Sequence, residues 1–327
     1  MNLNDYFEKN SSLTVPLLGF PGVHLNGTTI KTNIFDSAVQ VDTIMAIDRT
    51  FNPDILLTFM DLTVEAHALA APVIYNDMES PSVKEYIVKT EEDLKRLDGV
   101  FSVDNQRVQV FTQTVRELKQ RQAHKPIAAY VAGPFTLAGL LMGANDIAMN
   151  TVLNPDFVSD TVQFATKVID AYSRALVSAG ADMIVILEPT GVMLSPEMYW
   201  DFSGRPTQEL VQTIERFTVL HICGNTEHLI PGMCKTGVNG LSLDAAVDLQ
   251  KIAPLVPSDV CIMGNIDPVR VMCNKSPDEV RSDTLSLRKT MEGHRNFVLS
   301  TGCDLPPETP PENITAFIKA GKEEIPA

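Results

Sequence analysis

The sequence predicts a single (β/α)8 barrel over residues 1–327, with a small excursion in its N-terminal third. Three observations carry this reading. Short apolar runs alternate with longer amphipathic stretches, the pattern of a parallel sheet covered by helices. Eight such runs fit into 327 residues, a typical length for one barrel. No Pro/Gly/Ser-rich linker, low-complexity tract or internal repeat divides the chain.

The strand runs are residues 15–20, 54–59, 127–132, 183–187, 219–222, 240–243, 261–264 and 297–300. Helical periodicity covers 37–49, 105–122, 156–178, 197–215, 226–235, 278–290 and 312–320. Ser195-Pro-Glu-Met198, Ser276-Pro-Asp-Glu279 and Thr309-Pro-Pro-Glu312 each offer a cap hydroxyl, an early proline and an acidic first turn. Residues 71–97 break the rhythm: Pro72, Pro81 and the short run 84–88 read as a hairpin excursion.

Composition limits the partners. The chain is 44% hydrophobic and 20% charged, as expected of a globular protein. Its formal net charge of −15 argues against nucleic acid and anionic membrane surfaces, both of which need basic patches. The first residues, Met1-Asn-Leu-Asn-Asp-Tyr6, do not form a signal peptide, and no apolar run nears the ~18 residues of a membrane span. With five cysteines and no disulfide-like spacing, the chain reads as cytoplasmic, its thiols reduced. Cys234, Cys261 and Cys273 read as small buried hydrophobes.

The candidate chemistry lies in His221-Ile-Cys223, followed by 20 intervening residues, Asp244, 58 more residues and Cys303. One imidazole and two thiolates are donors that Zn²⁺ prefers, and a carboxylate is an acceptable fourth ligand. The spacing is too open for a zinc finger, so a folded scaffold must gather these residues. Each follows an apolar run, which in a barrel places it at a C-terminal strand end, where active sites lie. Asp244 reads equally as the N-cap of the next helix. Glu188, after the run 183–187, either lines the pocket as a catalytic residue or caps a helix, and Asp61 carries the same argument. Asn265 and Asp267 either shape the mouth or form a turn. His228 reads as a surface residue, and His24 and His67 as non-ligands.

Three segments resemble the uroporphyrinogen decarboxylase superfamily, and within it the zinc-dependent methylcobamide:coenzyme M methyltransferases. They are His221-Ile-Cys-Gly224, Met263-Gly-Asn-Ile-Asp-Pro268 and Gly302-Cys-Asp-Leu-Pro-Pro-Glu-Thr-Pro-Pro-Glu-Asn313. Gly133-Pro-Phe-Thr-Leu-Ala138 and Gly180-Ala-Asp-Met-Ile184 also fit. The resemblance implies a barrel holding Zn²⁺ through His221, Cys223 and Cys303, with Asp244 at the family's acidic position. A similar His, Cys, acid, Cys order occurs in cobalamin-independent methionine synthase. The implied zinc activates a thiol such as coenzyme M, which takes methyl from a methylated corrinoid. A separate corrinoid protein would carry that co-substrate, since the chain has no Asp-x-His-x-x-Gly corrinoid-ligand motif.

The alternatives are demethylation of a methylated substrate onto a corrinoid, transfer to tetrahydrofolate, porphyrinogen decarboxylation, and a non-catalytic zinc- or corrinoid-binding module. The arginine-rich N-terminal signature of the decarboxylases is missing, which weighs against decarboxylation. Two departures from the methyltransferases stand out. Asp244 is shorter than the expected glutamate, and Pro21-Gly-Val-His-Leu-Asn-Gly-Thr-Thr29 has no close counterpart in the coenzyme M enzymes.

Overall fold

A computed structural model describes residues 6, 7 and 13–324. Nine strands are present among them: β1 Leu56–Leu57, β2 Val73–Ile74, β3 Ser82–Val83, β4 Ile127–Ala132, β5 Met183–Leu187, β6 Phe217–Ile222, β7 Gly240–Leu243, β8 Cys261–Ile266 and β9 Phe297–Thr301. Seven of these form one parallel sheet in the order β1-β4-β5-β6-β7-β8-β9. The other two, β2 and β3, pair antiparallel as the expected hairpin excursion. No helix among the described residues is long and apolar enough to cross a membrane.

The eighth stave of the barrel differs from expectation. Residues 15–20 form no regular strand; Thr14 makes a single parallel bridge to Leu299, and Phe20–Gly22 is a 3-10 turn. Pro16 explains the difference, because it has no N–H to give a ladder. Side chains take over the missing bonds. Ser300 Oγ donates to the Val15 carbonyl at 2.6 Å, and the Leu17 N–H donates to Thr301 Oγ1 at 3.0 Å. On the other edge the Thr14 N–H donates to Asp54 Oδ2 at 2.8 Å. The segment thus closes the seam between β9 and β1.

Alternation along the strands separates two cores. Leu57, Tyr130, Val185, Val219, Met263 and Val298 fill the barrel interior. Their neighbours Ile184, Ile186, Leu220, Ile222, Leu241 and Leu243 face the surrounding helices. Both faces of β4, β5 and β6 are buried, which is why these strands read as continuous apolar runs.

The expected helices form, with local corrections. The stretch 197–215 is helical from Pro196 to Thr213, but Trp200–Gly204 is a π turn. Pro206 cannot donate to the preceding turn, and a π turn accommodates the lost bond. Ser195 and Ser276 cap as expected. Thr309 does not: its hydroxyl donates to Pro306 O at 2.7 Å, and Pro310 occupies the cap position. The helices Pro134–Met142 and Ala144–Leu153 are additional to those expected. The first is buried nearly all round, so its sequence carries no polar face to reveal the period.

The barrel seam yields a test. Thr301→Val keeps the shape but leaves the buried Leu17 N–H without an acceptor. It is expected to lower unfolding stability by about 1–3 kcal/mol in urea titrations, whereas a change within about ±0.5 kcal/mol would mean that the seam bond is dispensable.

Candidate metal centre

Parity on β6 builds the centre. Leu220 and Ile222 face outward, so His221 faces the lumen. Cys223, two residues on, continues the same inward face as the chain leaves the strand. This is the physical meaning of the His-x-Cys spacing. Gly224 then turns the chain with φ of 85°, a conformation that glycine adopts without strain. Cys303 arrives from the loop after β9.

The three donor atoms lie within 4.8 Å of one another. His221 Nε2 is 3.3 Å from Cys223 Sγ and 3.7 Å from Cys303 Sγ, and the two sulfurs are 3.7 Å apart. A tetrahedral ion with bonds of about 2.3 Å to sulfur and about 2.05 Å to nitrogen needs S···S near about 3.8 Å and S···N near about 3.5 Å. The residues therefore fit a Zn²⁺-sized ion with little movement. His221 is buried while both cysteines are partly exposed, so the cluster opens on one side.

Neighbouring groups fix these donors. Ser242 stands opposite His221 in the β6–β7 register, and its Oγ lies 3.0 Å from His221 Nδ1. That contact occupies one ring nitrogen and leaves Nε2 for the cluster, the usual division of labour at metal-bound histidines. Gly302 sits where a Cβ would come 2.5 Å from the Ala245 backbone nitrogen. Only glycine lets the Cys303 loop pass so close to the loop after β7. Asn265 Nδ2 fastens that second loop by donating to Asp244 O at 2.9 Å and Val247 O at 2.7 Å. The contact with Cys303 pulls the Cys223 thiol below its usual range, and the same contact, with burial, pushes the Cys303 thiol far up.

The other candidates are placed as follows. Asp244 stands outside the three-residue cluster; its Oδ1 accepts from the Ala246 N–H at 2.8 Å, and its charge opposes ionisation of Cys223. Glu188 is fully buried, on the outward face next to inward-facing Leu187. Its oxygens accept from the Phe135 N–H at 3.0 Å and the Thr136 N–H at 2.5 Å, which caps the helix Pro134–Met142. Gly133 has no Cβ, and one there would meet Glu188 Oε2 at 2.4 Å. Asp61 forms a buried ion pair with Arg107. Asp267 Oδ1 accepts from the N–H groups of Val269 and Arg270, so it makes a turn.

His24 is exposed, His67 contacts the Tyr75 hydroxyl, and His228 Nε2 contacts Leu194 O. Cys234, Cys261 and Cys273 are partly exposed, not buried as expected. The sequence pattern does not single out Ser242 and Gly302 as supports, whereas Asn265, expected at the mouth or in a turn, fastens the loop after β7 from within β8. A lone serine within the apolar run 240–243 is the available signal for the first.

A family model described as "Uroporphyrinogen decarboxylase (URO-D)" matches residues 25–324. The chain belongs to the uroporphyrinogen decarboxylase family. Within it, the methylcobamide:CoM methyltransferase MtbA of Methanosarcina acetivorans is 30% identical over 269 residues, 80% of this chain and 77% of that protein. A methylated-thiol–coenzyme M methyltransferase of Methanosarcina mazei is 25% identical, covering 88% of this chain and 78% of its own. A uroporphyrinogen decarboxylase of Prochlorococcus marinus is also 25% identical, over 84% and 80%. In fold, a methyltransferase from Methanosarcina mazei superposes with a TM-score of 0.83 at 21% identity, covering 96% of this chain and 92% of that one. The URO-D barrel is thus established, and among these relatives the methylcobamide:CoM methyltransferase is more similar in sequence than the decarboxylase, at 30% against 25% identity.

Two further features of this URO-D chain give tests. Glu65, fully buried, accepts from the Ala132 N–H at 2.8 Å through Oε1, while Oε2 has no partner among the described residues. Burial pushes its carboxyl from the usual glutamate range up to about 8. The folded protein therefore keeps a proton that the unfolded chain loses, and stability is expected to fall as pH rises from about 5 to about 8. In Glu65→Gln that fall should shrink by on the order of a few kcal/mol, read from urea titrations across the range. An unchanged pH slope would contradict a neutral Glu65. At the centre, Gly302→Ala forces the two loops apart and should cost at least about tenfold in zinc affinity in a chelator competition. Unaltered affinity would show that the loop contact does not place Cys303.

Proposed function

We propose that this chain is a zinc-dependent methyltransferase that moves a methyl group from a methylated corrinoid to a thiol acceptor such as coenzyme M. The observation that carries this reading is the His221–Cys223–Cys303 cluster, whose separations of 3.3 to 3.7 Å suit a tetrahedral ion. Kinship with the 30%-identical methylcobamide:CoM methyltransferase MtbA supports the corrinoid donor and the thiol acceptor. Zinc bound here would keep an acceptor thiol ionised at neutral pH, where a free thiol, with a pKa of about 8.5, is mostly protonated.

The chain's own residues set the rest. Cys223 and Cys303 as thiolates with neutral His221 would cancel the charge of a divalent ion. An acceptor sulfur in the open position then keeps its electron density and its nucleophilicity. Three histidines would leave the ion cationic, a setting better suited to ionising water. Asp244, whose Oδ1 holds the Ala246 N–H beside the cluster, would have to turn from that contact to reach a bound ion, which leaves the fourth position to the acceptor sulfur. The acceptor sulfur takes the methyl group, and cobalt departs with the bonding electron pair as Co(I). Partly exposed Cys223 and Cys303 lie at the barrel mouth, the side from which a corrinoid carried on a partner protein would approach.

The test is anaerobic turnover of free methylcobalamin by the zinc-loaded protein, followed by cobalt absorbance, with coenzyme M, homocysteine and tetrahydrofolate offered separately. Demethylation with a thiol, abolished by chelation and lowered at least about a hundredfold in Cys303→Ala, is expected. Full activity in Cys303→Ala would overturn the ligand assignment, and turnover only with tetrahydrofolate would overturn the acceptor class.

A further inference from the structure

The sulfurs of Cys223 and Cys303 are 3.7 Å apart, and among the described residues no other two cysteines touch. Cys273 meets Thr309 Oγ1 at 3.3 Å instead. Both residues of the pair are partly exposed, so a small solute can reach them. Both also lie outside the sheet ladder. β6 ends at Ile222 and β9 at Thr301, so each cysteine sits in the loop that follows its strand. Gly224 and Gly302 flank them. A disulfide needs its sulfurs about 2.05 Å apart, which asks for an approach of about 1.6 Å. Movement of two loop residues supplies that without breaking a strand hydrogen bond.

These two sulfurs are also two of the three donors in the cluster. A sulfur bound in a disulfide has no negative charge to give an ion, so only His221 would remain. Holding the metal and forming the disulfide are therefore mutually exclusive states of one pair. We propose that Cys223 and Cys303 form a reversible redox switch, in which a peroxide links them as a disulfide and expels the metal. The proposal rests on the metal assignment above and adds a second state to it. The step balances with hydrogen peroxide as the oxidant. One thiolate attacks a peroxide oxygen; the S–O bond forms, the O–O bond breaks and hydroxide leaves. The other cysteine sulfur attacks the sulfenic sulfur; the S–S bond forms, the S–O bond breaks and a second hydroxide leaves. Two electrons pass from the sulfurs to the peroxide, and two solvent protons turn both hydroxides into water. Two acceptor thiols reverse the oxidation by thiol–disulfide exchange and leave as their own disulfide. A thiol substrate thus keeps its own site in the metal-binding form.

The test treats reduced, zinc-loaded protein with hydrogen peroxide while a colorimetric chelator records free zinc. Peptide mapping without reductant then reads the state of each sulfur. Zinc release and a cross-link between Cys223 and Cys303 should rise together, one ion for each disulfide. Cys223 and Cys234 share one tryptic peptide, Phe217–Lys235, so fragmentation of the linked pair must place the bond at Cys223. Dithiothreitol followed by zinc should restore the starting metal content. Zinc lost without that link, a link at Cys234, separate oxidation of the two sulfurs to sulfinic acids, or thiols and zinc that both survive the peroxide would overturn the proposal. Reduced protein that binds no zinc before any peroxide is added would instead overturn the metal assignment on which the switch rests.

Discussion

The pairing of β6 with β7 governs the rest of the centre. Register sets His221 opposite Ser242, and parity turns both into the lumen. A slip of one residue would turn His221 toward the helices and bury a polar ring in the outer apolar layer. The register is therefore enforced by Leu220, Ile222, Leu241 and Leu243, which have no favourable place inside a metal pocket. Cys223 follows as a consequence of the same alternation. Only Cys303 needs a separate device, and Gly302 supplies it by letting two loops touch backbone to backbone.

The electrostatics of the cluster make sense as a ligand set waiting for a cation. Two thiols 3.7 Å apart cannot both ionise easily without one. The opposite displacements of Cys223 and Cys303 are two sides of that one contact, in which the first is eased toward thiolate by the proton on the second. Asp244 adds a negative charge to the same neighbourhood. On a chain of net charge −15 the arrangement favours a divalent ion. Glu188 belongs to a different layer. Its carboxylate faces a helix N-terminus outside the sheet, while its backbone N–H donates to the His221 carbonyl at 2.8 Å.

Much of this is legible in the amino-acid order alone. His-x-Cys spacing implies one strand face, and the apolar runs ahead of Asp244 and Cys303 imply strand ends, so convergence follows from the barrel. The strands buried on both faces are also plain, since they read as continuous runs. What stays hidden depends on tertiary partners. The seam uses hydroxyls in place of a ladder around Pro16, and no local pattern announces that exchange. The helix Pro134–Met142 is buried nearly all round and shows no amphipathic period. Gly302 looks like any loop glycine until Ala245 is seen against it.

Zinc X-ray absorption on the loaded protein tests the central claim most directly, because it counts the atoms bound to the ion. Two sulfurs, one imidazole nitrogen and one light oxygen-type ligand are expected at rest, with a third sulfur replacing the oxygen when an acceptor thiol is added. A shell without sulfur, or one that the acceptor thiol leaves unchanged, would contradict a centre in which Cys223, Cys303 and His221 hold the metal that activates the thiol.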